Sequence, residues 1–150
     1  MTRSQPTGDP KRILIVDDNK MGLSARRSVL EAVGHKIATA SSGPEALELF
    51  DGGGFDLVVT DYKMPKMTGV ELIVELRERS PALPIIMISG FADTLGLNES
   101  NTKADAVLQK SSSEVTQLVR AVAKLLNRPA RKPAGTSKGN AVVKRRQQQG

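Results

Sequence analysis

Short runs of branched apolar residues, each followed by a stretch with helical spacing, constrain this chain more than any other feature. RILIV at 12–16 is continuous and rich in β-branched residues, as suits a strand buried on both faces of a parallel sheet. KIATA at 36–40, DLVVT at 56–60 and PIIMI at 84–88 repeat the pattern, and 104–108 is a weaker fifth run. Residues 19–33 carry Met21, Leu23, Ala25, Val29, Leu30 and Val33 at broadly helical spacing and end at Gly34. Ser42 precedes Gly43-Pro44-Glu45, a helix entry with proline in its first turn, and Gly52-Gly53-Gly54 closes that helix. Thr68 and Glu71 predict a capping box that opens a helix running to about residue 79, and 113–126 predicts the last helix. This alternation predicts an α/β fold with a doubly wound, five-stranded parallel sheet. Ligands in such sheets bind beyond the carboxyl ends of the strands.

Two kinds of segment interrupt the alternation. Residues 91–103 contain Gly96, Asn98, Asn101 and Thr102, all poor helix formers, so the helix expected there is short or frayed. Residues 1–10 are polar, and from Pro129 onward Pro, Gly, Ser, Lys and Gln dominate. Both ends are expected to be disordered, with a brief helix at 141–149, which leaves 11–127 as the one domain. The net charge of +6 belongs to the tail: residues 128–150 hold seven bases and no acid, so 1–127 holds 15 bases against 16 acids. The charge therefore does not mark the domain as a nucleic-acid binder, although contact of the tail with nucleic acid or an acidic partner is one reading of it.

Composition removes several kinds of chemistry. Cysteine is absent and His35 is the only histidine, which excludes thiol nucleophiles, a histidine triad and a multi-histidine metal site. His35 follows Gly34 at a turn and is expected in solvent, with no helical bundle around it to make it a phosphodonor. Aromatic residues make up 3% of the chain, too few for a base-stacking surface. The longest apolar runs have four residues and the N-terminus lacks the apolar stretch of a signal peptide, so a cytoplasmic protein without membrane insertion is expected.

The residues just past the apolar runs carry the chemistry. Asp17 and Asp18 follow the first run, Asp61 the third, Ser89 the fourth and Lys110 the fifth. An aspartate after a strand is ordinarily a turn or a cap; the coincidence across four strands is what argues for a site. Three clustered carboxylates repel one another unless a cation joins them, and an all-oxygen donor set suits Mg²⁺. A carboxylate can attack a phosphoryl group, while a lysine ammonium and a serine hydroxyl neutralise its oxygens.

With ILIVDD, DLVVTDYKMPKMTGVEL, IIMISG and Lys110, residues 11–127 resemble the receiver domains of two-component response regulators. The resemblance implies a flavodoxin-like (βα)5 fold with strand order 2-1-3-4-5 and a phosphorylation switch. Carried over by position, Asp61 resembles the phosphoacceptor. Asp18 resembles a direct metal ligand and Asp17 one acting through water, with the main-chain carbonyl of Lys63 as a third protein ligand to Mg²⁺. Ser89 and Lys110 match the switch hydroxyl and the phosphate-binding lysine, and Met64-Pro65 with Gly69 match the turn after the phosphoacceptor. The partners implied are a histidine kinase or histidine phosphotransfer protein and a downstream protein. Such a domain is not an enzyme on other substrates; it catalyses only its own phosphorylation and dephosphorylation.

The chain also departs from the family pattern. Ser111 stands where the family has a proline after the lysine, often with a cis bond. Val107 stands at the switch aromatic, for which Phe91 is the candidate substitute. Three other readings compete. A degenerate receiver would bind without phosphorylation. An aspartate-nucleophile phosphatase would need an acid two residues after its nucleophile, where this chain has Asn19 and Lys63. A flavin-binding module would need a phosphate loop, which two acids after the first strand oppose. The 23 residues after 127 leave no room for an output domain, so a stand-alone receiver is expected, signalling by protein contact or phosphorelay.

Overall fold

The computed structural model describes residues 10–90 and 92–127. The expectations for 1–9, for Phe91 as a switch and for the basic tail, including its brief helix, fall outside the described residues. Five parallel strands form one sheet in the order β2-β1-β3-β4-β5: β1 Arg12–Val16, β2 Lys36–Ala40, β3 Leu57–Asp61, β4 Ile85–Ser89 and β5 Ala106–Gln109. The helices between and after them are α1 Lys20–Ala32, α2 Gly43–Asp51, α3 Gly69–Arg79, the single turns α4 Ala92–Leu95 and α5 Glu99–Thr102, and α6 Glu114–Asn127.

Alternation along the central strands divides the core. Leu14, Val16, Val58 and Met87 pack with Ala46, Leu72, Ile73 and Leu76 of α2 and α3. Ile13, Ile15, Val59, Ile86 and Ile88 pack on the opposite face with Leu30, Leu118, Val122 and Leu125 of α1 and α6. Both faces are covered, which is why the central runs are apolar throughout. Helix entries follow the sequence. Asn19 and Ser42 accept from the backbone N–H groups of Gly22 and Glu45, and Thr68 and Glu71 form the expected reciprocal box.

Strand starts differ slightly from the apolar runs, for a polar reason. Asp56 precedes β3 instead of opening it: its carboxylate accepts from the Arg12 backbone N–H at 2.9 Å and its own N–H donates to Arg12 O at 2.8 Å. Asp105 repeats this before β5, accepting from Ile85 N at 2.8 Å and donating to Ile85 O at 2.7 Å. That clasp pushes β5 two residues beyond its expected start at 104. Arg77 completes the second clasp by donating to Asp105 at 3.0 Å and to the carbonyls of Lys103 and Leu83. Since the Asp105 side chain is only 2% exposed, removing Arg77 takes an ion-pair and hydrogen-bond partner from a buried carboxylate. Arg77→Ala is therefore expected to cost about 3 kcal/mol, roughly 10 °C in thermal denaturation; an unchanged melting temperature would contradict the clasp.

Residues 91–103 hold two single turns separated by Gly96 at φ 65°. The asparagines that oppose a continuous helix serve as caps instead: Asn98 and Asn101 bond reciprocally, and Asn101 Nδ2 donates to Gly96 O at 2.8 Å. His35 is half-buried, not exposed as its turn position suggested. The Gly34 turn folds back so that His35 N donates to Leu30 O and Lys36 N to Lys11 O, drawing the residue against the amino edge of the sheet. Burial lowers the imidazole pKa from its ordinary value, with Asp56 opposing.

Candidate functional site

Parallel register brings the acids together. Val16 lies opposite Thr60, so Asp17, one past β1, meets Asp61, the last residue of β3. Asp61 lies opposite Ile88, and Ser89 opposite Gln109, which sets Ser89 and Lys110 along the same edge. Lys110 N donates to Ser89 O at 2.9 Å. Asp17, Asp18 and Asp61 each offer a carboxylate oxygen within 4.8 Å of the others. Asp18 and Asp61 border a cleft of about 570 Å³, lined also by Asn19, Lys63, Met64, Pro65, Gly90 and Lys110.

The three carboxylates have different surroundings. Asp18 is exposed. Asp61 is 4% exposed; its Oδ1 accepts from Tyr62 N at 2.8 Å and its Oδ2 from Lys110 Nζ at 3.1 Å. Asp17 is fully buried; its Oδ1 accepts from Asn19 N at 2.9 Å and its Oδ2 from Arg26 Nη1 at 2.5 Å. The loop after Asp61 is pinned by Gly69 N donating to Tyr62 O at 2.7 Å, and Lys66 adopts φ 73° within it. This pinning holds Lys63 at the cleft mouth.

Burial raises the Asp61 pKa above the usual carboxylate value, the Asp17 charge adds to the rise, and Lys110 opposes it. A raised folded-state value means that protonated Asp61 favours folding below the ordinary carboxylate range. That contribution is lost as pH rises through the raised value. Without metal, Asp61→Asn is thus expected to melt a few degrees above the wild type at neutral pH, with the gap closing as pH falls through the raised value towards the ordinary one, about 4. A gap independent of pH would place its cause elsewhere.

The donor set fits a hard divalent cation. All the offered atoms are oxygens, they converge from two strand ends, and two of the acids are buried. Ser89 is fully buried at the end of β4, immediately before Gly90 of the cleft lining. Val107 is half-buried opposite Met87 and packs on the α2–α3 side of the core, outside the cleft lining. No peptide bond among the described residues is cis, the Lys110–Ser111 bond included.

One member of the cluster escaped the sequence. Arg26 is 3% exposed and joins Asp17 to Glu114 of α6, donating to the latter through Nε at 2.7 Å. An apolar-stripe reading of α1 favours Met21 and Val33, yet these are 82% and 40% exposed. The buried residues are Arg26 and Leu30, one turn apart. The available signal was an arginine on the same i, i+4 row as Gly22 and Leu30.

A family model described as the response regulator receiver domain matches residues 13–123. The alkaline phosphatase synthesis transcriptional regulatory protein PhoP of Bacillus subtilis (strain 168) is 34% identical over 119 residues, covering 67% of this chain and 50% of that protein. The aerobic respiration control sensor protein ArcB of Escherichia coli (strain K12) is 41% identical over 69 residues, covering 46% of this chain and 9% of that protein. The chain thus spans half or less of the length of these two relatives. Among solved structures, the response regulator protein TrrA from Thermotoga maritima in complex with Mg(2+)-BeF is 34% identical, with a TM-score of 0.70 over 77% of this chain and 98% of that one. The complex of the histidine kinase ThkA with TrrA gives a TM-score of 0.69 at 34% identity, with 77% of this chain and 98% of that one covered. No helix among the described residues is long and apolar enough to cross a membrane.

Proposed function

Because the chain belongs to the response regulator receiver domain family, we propose that Asp61 accepts a phosphoryl group from a histidine kinase or a histidine phosphotransfer protein. The phosphorylated domain then signals by protein contact or by passing the group on. The observation that carries this reading is the Asp61 carboxylate at the cleft, paired with Lys110 at 3.1 Å and within 4.8 Å of Asp17 and Asp18.

In the proposed transfer an Asp61 oxygen attacks phosphorus in line with the departing imidazole nitrogen. An O–P bond forms, the P–N bond breaks, and the imidazole takes a proton from solvent. Lys110 shifts its ammonium from the carboxylate to a phosphoryl oxygen, and the Ser89 hydroxyl donates to another. Asp18, Asp61 and the Lys63 carbonyl would hold Mg²⁺, with Asp17 behind a water. When bound, the ion neutralises phosphoryl oxygens as a Lewis acid. Asp61 then carries a mixed anhydride that water hydrolyses in time, so the domain resets without acting on any other substrate.

Incubation with a small acyl phosphate and Mg²⁺, followed by intact mass, tests the reading. One added phosphate, absent when a chelator is present, is expected. A folded chain that takes up none would instead support a receiver that binds its partner without phosphorylation.

A further inference from the structure

A buried arginine beside the acids is the feature of this site that the phosphoryl chemistry does not use. Arg26 and Asp17 are 3% and 0% exposed, and an ion pair so shielded is weakly screened by solvent. The fit is prepared by the helix itself: a Cβ on Gly22 would stand 2.8 Å from Asp17 Oδ2 and 3.6 Å from Arg26 Nη1. Alanine there would favour the helix, yet it would intrude on the pair. Both Asp17 oxygens are engaged, one by Asn19 N and one by Arg26.

Arg26 also divides its guanidinium between two acids on different elements. Nη1 serves Asp17 and Nε serves Glu114 in the first turn of α6, a side chain 15% exposed. The guanidinium is planar and rigid, so its two bonds are coupled. A pull on Asp17 tilts the plane against Glu114, and a change at Glu114 returns to Asp17. The acids of the cleft therefore face a fixed positive charge whose pull depends on how much of it Glu114 neutralises from the far side.

We propose that Arg26 is a positioning residue for the cation site: it holds Asp17 as a neutralised acid buried behind the cleft, lowers the affinity of the site for a divalent cation, and through Glu114 ties that affinity to the first turn of α6. The inference rests on the cation-site reading given above. Linkage makes the coupling reciprocal, so cation binding changes the hold of Arg26 on α6 by the same factor that α6 changes cation binding. This connection runs along the α1–α6 side of the sheet, whereas Val107 stands on the other face.

Calorimetric titration of the full chain with Mg²⁺ provides the test, because two substitutions should move affinity in opposite directions. Arg26→Met removes the opposing charge and is expected to tighten binding about tenfold. Glu114→Gln leaves Arg26 wholly to Asp17 and is expected to weaken binding about threefold. Amide exchange in the first turn of α6 should respond to Mg²⁺ in the wild type and not in Arg26→Met. A mere tether between α1 and α6 would lower the melting temperature of both variants and leave Mg²⁺ affinity unmoved or shifted in one direction, which overturns the proposal. Should Arg26→Met fail to fold, Glu114→Gln decides alone, and unchanged or tighter binding overturns it. A wild-type chain that binds no Mg²⁺ removes the cation-site reading itself and this inference with it.

Discussion

Asp61→Asn is expected to take up no phosphoryl group from an acyl phosphate and Mg²⁺, under conditions in which the wild type gains one phosphate by intact mass. The surroundings of the three acids single it out. Asp17 is fully buried and lies outside the cleft lining, so it cannot present a nucleophile to the cleft. Asp18 is exposed, whereas Asp61 is paired with the Lys110 ammonium at the cleft. A nucleophile needs that adjacent cation, because the attacking carboxylate and the incoming phosphoryl oxygens are both negative. Labelling of the asparagine variant at the wild-type rate would move the acceptor to another residue.

Gly69→Ala is expected to destabilise the fold by roughly 3 kcal/mol, about 10 °C in melting temperature, and to slow phosphoryl uptake as well. The added Cβ would overlap the carbonyl oxygen of Asp61 and stand 3.0 Å from Tyr62 Cα. These are backbone atoms of the acceptor and its neighbour, so no flexible side chain can yield. Relief must come either from opening the Gly69 N to Tyr62 O bond or from moving Asp61. Thermal denaturation and labelling rate measure the two losses. An alanine variant that melts and labels like the wild type would show that the loop gives way without either.

What the chain revealed before its structure follows from which interactions are local. Ser42, Thr68 and Glu71 act within three residues of their partners, and each caps as its position predicts. The apolar runs of β1 and β2 match their strands end to end. The five strand-end residues were legible because parallel strands place their carboxyl ends along one edge. Arg26 was not legible, since its meaning depends on Asp17 and on Glu114, the latter 88 residues away. Asn98 and Asn101 oppose a continuous helix by composition, and in the structure they form the capping box of a one-turn helix. The turn position of His35 suggests solvent, but this turn closes against the edge of the sheet through Lys36 N and Lys11 O, which no local pattern shows.

The two aspartate clasps at the amino edge have a consequence for the chemistry at the opposite edge. ILIV and IIMI are apolar at every position, so a strand slipped by one residue would bury nearly the same oil on both faces. Hydrophobic pattern, which normally selects alignment, is nearly silent here. Asp56 grips Arg12 and Asp105 grips Ile85 at the strand starts, and those polar grips distinguish one alignment from the next. From Arg12 the chain counts five residues to Asp17, and the partner strand carries Asp61 five residues beyond Asp56. The two strands thus share a ruler whose zero mark is the clasp of Arg12 with Asp56, residues that take no part in the proposed phosphoryl transfer. An insertion of one residue within either span would leave a buried sheet whose carboxylates no longer meet.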